Sequence, residues 1–138
     1  MIEIISGVGA AILIIVISRA LSRHFTTKLI AAAILVAIAF IYVGFSLKNN
    51  PVSMIILESG MALILFFVAI IGYTRNVFLI ASGIIFHGVW DIFHHQGLFI
   101  STDVPDFWPA FCSIIDIIDG LYFLIIFKIE RNTLVPLK

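Results

Sequence analysis

Apolar residues run through this chain in long stretches, separated by short clusters of polar and helix-breaking residues. The stretches cover roughly residues 2–21, 29–47, 52–73, 77–95 and 109–127, each near the ~20 residues an α-helix needs to cross hydrocarbon. The breaks between them are chemically coherent. Arg19, Arg23, His24 and Lys28 surround the first connection, and Lys48-Asn49-Asn50-Pro51 forms the second. There Asn50 suits a helix N-cap and Pro51 a first helical turn. Thr74-Arg75-Asn76 is a tight third connection, which makes its flanking helices antiparallel neighbours. The segment QGLFISTDVPDFW, residues 96–108, is the longest loop, and Pro109 opens the last stretch. No internal repeat is visible. The pattern predicts an all-α polytopic membrane bundle of five transmembrane helices, a single transmembrane domain over residues 1–138.

Composition supports this class. The chain is 62% hydrophobic and 12% charged, with a mean hydropathy of +1.23, too apolar to cover a soluble domain with polar surface. The N-terminal MIEII lacks the basic start of a secretory leader, and the run after it is long, so it reads as a retained span. Cys112, the single cysteine, excludes an intrachain disulfide and reads as a small apolar filler. A formal net charge of zero gives no reason to expect a nucleic-acid partner. In the five-span arrangement Arg19, Arg23, Lys28, Arg75, Lys128, Arg131 and Lys138 fall on one side and only Lys48 on the other. The positive-inside rule then places the N-terminus outside and the C-terminus in the cytoplasm of a multi-pass cell-membrane protein. Asp103 and Asp106 lie in the outer loop, and Phe107 and Trp108 anchor it at the interface. His24 is a cytoplasmic loop residue, and the phenylalanines face lipid or fill packing gaps.

Five ionisable residues break the apolar pattern: Glu58, His87, Asp91, Asp116 and Asp119. Such groups at membrane depth are costly and are functional by default. At about 1.5 Å of rise per residue, Glu58 lies about 10 Å below the outer end of span three. His87 and Asp91 lie about 12 and 6 Å below the outer end of span four, and Asp116 and Asp119 about 10 and 15 Å down span five. Three helices thus carry polar groups at overlapping depth. Their faces agree as well. His87, Asp91 and His94 are spaced i, i+4, i+7, as are Cys112, Asp116 and Asp119. Glu58 shares a face with Met54, Met61, Ala62, Leu65, Ala69 and Gly72, whose small members permit close helix approach. The three stripes are expected to surround a cavity open to the outside.

Imidazole with carboxylate is a ligand set for zinc, manganese or non-haem iron. Catalytic zinc takes three protein ligands and keeps a place for water, whose proton a nearby carboxylate can accept. His87 and Asp91 are the expected metal ligands, with Asp116 or His94 as a third. Glu58 or Asp119 is the expected general base, and Tyr42 and Ser46 are placed to complete the site. This makes a metal-dependent hydrolase of a lipid or amphipathic substrate the leading reading, with zinc the favoured divalent cofactor. HGVWDIFHH, residues 87–95, is unusual within a span but is not an HExxH zinc signature.

Other readings compete. Buried acids can pair with histidine simply to satisfy each other, as polar glue in a structural subunit. Chains of acids and histidines also serve proton or cation transport. Between this cluster and the cytoplasm, however, the facing residues, such as Leu65, Ala69, Phe123 and Ile126, are apolar or small. A pathway there would need a homo-oligomer to supply polar groups. A b-type haem would need a dimer interface, because every histidine at membrane depth is on one span. A di-iron hydroxylase site would need more histidines.

At HGVWDIFHH and at FWPAFCSIIDIIDGLY (107–122), the chain resembles a family of small uncharacterised integral membrane proteins over nearly its whole length. That resemblance implies a membrane bundle and no particular activity. More distantly, the site chemistry at His87, Asp91 and Asp116 is similar to that of intramembrane hydrolases of the alkaline-ceramidase and adiponectin-receptor type. Those have seven spans and histidine-rich zinc sites, and this chain departs from both features.

Overall fold

Long apolar runs without interior proline leave the backbone one local way to satisfy its N–H and C=O groups in hydrocarbon, the α-helix. The structure, a computed structural model, describes residues 2–95 and 98–134. Among these it is all-helical: α1 Ile2–Leu21, α2 Thr27–Ala39, α3 Ile41–Asn49, α4 Val52–Thr74, α5 Phe78–His94 and α6 Trp108–Leu134. α2 and α3 are two halves of one stretch, Thr27–Asn49. That stretch, α1, α4 and α6 are long and apolar enough to cross a membrane. α5 is apolar but shorter, at 17 residues. Gln96 and Gly97 of the long loop, and Lys138 of the basic set, lie outside the described residues.

Three boundaries differ from the sequence expectation. The second span is interrupted at Phe40, which sits at φ −92°, ψ −3°, well away from the helical ψ of about −42°. Neither proline nor glycine lies within three residues of it, so nothing local marked the break. Asn50 does not cap α4. Pro51 takes the N-cap position with extended backbone and no side-chain cap bond. The Asn50 side chain is instead spent on tertiary contacts, accepting from the Asp103 amide at 2.8 Å and donating to the Phe45 carbonyl at 3.2 Å. α6 continues to Leu134, because Lys128-Ile129-Glu130-Arg131 contains no breaker and basic residues suit a helix C-terminus.

α5 is the central element. It packs most extensively on α6 and also on α4 and α2, while α1 leans on the opposite flank of α6 and α3 on α4. One core joins Leu35 of α2, Ala62 and Leu65 of α4, Ile80 and Ile84 of α5, and Phe123 of α6. Large apolar side chains such as Leu13, Ile56, Phe67 and Ile125 point outward. Exposed apolar surface spread over every long helix is what a bundle solvated by lipid presents. Glu58, Ala62, Leu65, Ala69 and Gly72 of α4 are all buried, so that stripe faces inward as its spacing predicts.

Small residues set the α5–α6 distance. A Cβ added at Gly88 would lie 3.1 Å from both the Asp116 Cβ and the Ser113 carbonyl oxygen. The carbonyl belongs to a helix backbone and cannot rotate away. Gly88→Ala is therefore expected to push the two helices apart, costing about 1–3 kcal/mol and loosening the contact between His87 and Asp116. Thermal unfolding in detergent, beside the exposed and uncrowded Gly60→Ala as control, checks this; equal melting of the two variants would refute it.

The ends of the bundle differ in charge. Arg23, Lys28, Arg75 and Arg131 line one cleft. At the other end Glu3, Asp103 and Asp106 line another, together with His94, His95 and Thr102.

Candidate metal centre

α5 presents one polar stripe to α6 and α4. His87, Asp91 and His94 are all buried on it, as are Cys112, Asp116 and Asp119 on α6. The i, i+4, i+7 spacing places each trio on one side of its helix, and the close α5–α6 approach makes the two stripes meet. The result is two adjoining polar groups.

The first is His87, Asp91 and Asp116. His87 Nδ1 is 2.6 Å from Asp116 Oδ2 across the helix pair and 3.8 Å from Asp91 Oδ2 along α5. One donor atom from each residue lies within 4.8 Å of the others, close enough to converge on one ion. Asp91 is completely buried, yet neither carboxyl oxygen has a hydrogen-bond partner. The buried Tyr42 hydroxyl lacks one too. A carboxyl group left this way in a low-dielectric interior is costly, and a cation bound among the three side chains would remove the cost. The donor set of one imidazole and two carboxylates fits a hard or borderline divalent metal.

The second group is centred on Glu58. Its Oε1 meets His94 Nε2 at 2.7 Å and accepts from the Thr102 hydroxyl at 2.6 Å, while Oε2 accepts from the Trp90 indole N–H at 3.3 Å. His94 Nδ1 lies 3.0 Å from the Trp90 carbonyl. A carbonyl only accepts, so Nδ1 carries a proton and Nε2 is the nitrogen directed at the carboxylate. Tyr42 separates the groups, stacking on His94 with centroids 4.1 Å apart and tilting against His87 at 5.9 Å. The break at Phe40 lies just before Tyr42. Ser46, also buried, turns its hydroxyl to the Val43 carbonyl at 2.9 Å and does not join either group.

His87, Asp91 and Asp116 are thus brought together, and His94 stands apart with Glu58. Asp119 is 1% exposed and its oxygens have no partner, but it is outside the three-residue cluster. Thr102 and Trp90 are additions that the sequence did not single out. Thr102 sits in a loop where a polar residue is ordinary. Trp90 had one legible signal, since i, i+4 spacing puts it beside His94. A cleft of about 550 Å³ has His94, His95, Thr102 and Pro109 in its walls, so the Glu58 group lies between that cleft and the His87 cluster.

A family model matches residues 2–128, which takes in α1 to α5, α6 as far as Lys128, and every residue of both groups. The chain belongs to DUF6010, a family of unknown function. No curated protein and no solved structure matches it. The likeness to ceramidase-type hydrolases therefore rests on ligand types and membrane location alone.

Proposed function

We propose that this is a five-span protein of the cell membrane, N-terminus outside, that binds a divalent metal through His87, Asp91 and Asp116. We further propose that it hydrolyses a lipid or amphipathic substrate, with zinc the favoured metal. The observation that carries the reading is Asp91, a fully buried carboxyl group without a hydrogen-bond partner, aimed at a histidine and a second aspartate. α5 is about 26 Å long at 1.5 Å per residue, a little short of a ~30 Å hydrocarbon core, and modest bilayer thinning accommodates that difference.

A zinc ion in this site would supply Lewis acidity and an activated water. The protein's own groups divide the remaining work. His87 and Asp91 hold one side of the site from α5, and Asp116 closes it from α6. Asp119, one turn from Asp116 and with free oxygens, is the better general base. Glu58 is already engaged by three neighbours, so its role is to hold the outer loop and Tyr42 over the site. Transport through one chain is disfavoured, because Leu35, Leu65, Ile80, Phe123 and Phe127 fill the core towards the basic end.

Elemental analysis of gently purified protein is expected to find stoichiometric metal. Lipid turnover, followed by mass spectrometry of products, is expected to stop on metal stripping and return on reloading. Asp119→Asn is expected to cut turnover by the ~10²–10⁴-fold typical of losing a general base while metal content stays unchanged. Metal-free protein, with His87→Ala behaving as wild type in every assay, would sink the reading.

A further inference from the structure

At the end of the bundle opposite the metal cluster, Arg23, Lys28, Arg75 and Arg131 surround a cleft of about 960 Å³. They arrive from three places: the α1–α2 connection and first turn of α2, the α4–α5 connection, and the end of α6. Topology alone explains why basic residues gather at one end. It does not explain why they converge on a concavity with their charges unspent. Among the described residues every ion pair involves a histidine, and none of these four cations has a carboxylate partner. The one acid in the cleft, Glu130, accepts the Thr27 hydroxyl at 2.6 Å. Two of the cations are steadied by aromatic faces instead. Lys28 Nζ lies 4.5 Å from the Tyr73 ring centre and the Arg131 guanidinium 4.9 Å from that of Phe78.

An apolar groove of about 630 Å³ begins where this cleft ends, and Phe25 lines both. It runs between α1 and α2, which barely touch because α1 packs on α6. Ile14 and Ile17 form one wall, and on the other the small Ala33 and Ala37, at i and i+4, leave the space open. From Leu29 to Ala37 the groove extends about 12 Å along α2, most of one leaflet's share of a ~30 Å core.

We propose that cleft and groove together form a binding site for one anionic phospholipid, with the phosphate among Arg23, Lys28, Arg75 and Arg131 and an acyl chain between α1 and α2. Charge complementarity selects the headgroup, and the depth of the groove matches a chain rather than a free anion. Basic pockets between transmembrane helices hold acidic headgroups in this way. The site is independent of the metal cluster and of any reaction there.

Native mass spectrometry of the full chain in detergent, with phosphatidylglycerol or phosphatidylcholine of identical chains added, tests the proposal. Phosphatidylglycerol is expected to be retained in preference to phosphatidylcholine. The exposed pair Arg23→Gln/Arg75→Gln should bind it about 30-fold more weakly. Ala33→Leu/Ala37→Leu, which fills the groove, should also weaken it, and inorganic phosphate should not displace it. Equal retention of the two lipids overturns the proposal. Displacement by phosphate, with the filled-groove variant binding as wild type, overturns it in favour of a free-anion site. Should the filled-groove variant fail to fold, the arginine pair, judged beside its own melting curve, still decides.

Discussion

Asp91→Asn is expected to lower metal affinity by more than the ~10–100-fold that loss of a metal site's supporting partners typically costs. It should also leave the metal-free protein at least as stable as wild type. The two halves of this result have one cause. Without metal, Asp91 is a fully buried carboxyl group with no hydrogen-bond partner, so neutralising it removes a cost and breaks no hydrogen bond, only the long 3.8 Å contact with His87. With metal bound as proposed, the same oxygens would be ligands and their loss would be felt at once. Added zinc should therefore raise the melting temperature of wild type, by the equivalent of about 2.7 kcal/mol at a free concentration 100 times Kd, and leave the variant nearly unmoved. If the cluster were only polar glue between helices, zinc would shift neither protein and the substitution would destabilise in all conditions. Melting curves in detergent, with and without metal, separate these outcomes.

Glu58→Leu is expected to destabilise the bundle by about 2–5 kcal/mol whether or not metal is present. One carboxylate serves His94 of α5, Thr102 of the α5–α6 loop and the Trp90 indole. A leucine fills the space but leaves those polar groups facing hydrocarbon. Loop residues around Thr102 should also become accessible to protease or deuterium exchange, because Asn50 then remains as the loop's side-chain tie to the helices. Glu58→Gln keeps an acceptor for Thr102 and should recover most of the loss. A Glu58→Leu protein that melts with wild type would refute this role, and unchanged exchange around Thr102 would show that the carboxylate does not hold the loop.

The inward faces of the helices were legible in the chain because a helix repeats every 3.6 residues whatever surrounds it. Three inward stripes, on α4, α5 and α6, could be read from Glu58–Ala62–Leu65–Ala69–Gly72, His87–Asp91–His94 and Cys112–Asp116–Asp119. The partition of those residues could not. His94 and Asp116 were equivalent candidates for a third ligand, His94 by helical spacing from His87 and Asp91, and Asp116 by its matching depth on another span. What separates them is Tyr42, inserted between the two histidines from a helix broken at Phe40. The Asn50 cap failed for a similar reason. An N-cap bond is a local option that a distant backbone amide, here that of Asp103, can outbid.

The sequence by itself therefore determined the class, the helices apart from the break at Phe40, and the inward direction of the ionisable residues, because hydropathy and helical period act over neighbours along the chain. Tertiary structure alone decided which of those residues meet: His87 with Asp91 and Asp116, His94 with Glu58 and Thr102, and Arg23 with Arg75 and Arg131 about a cleft at the far end. Those meetings depend on the rotation and spacing of helices distant in sequence, which are set by where small residues such as Gly88 allow two backbones to approach.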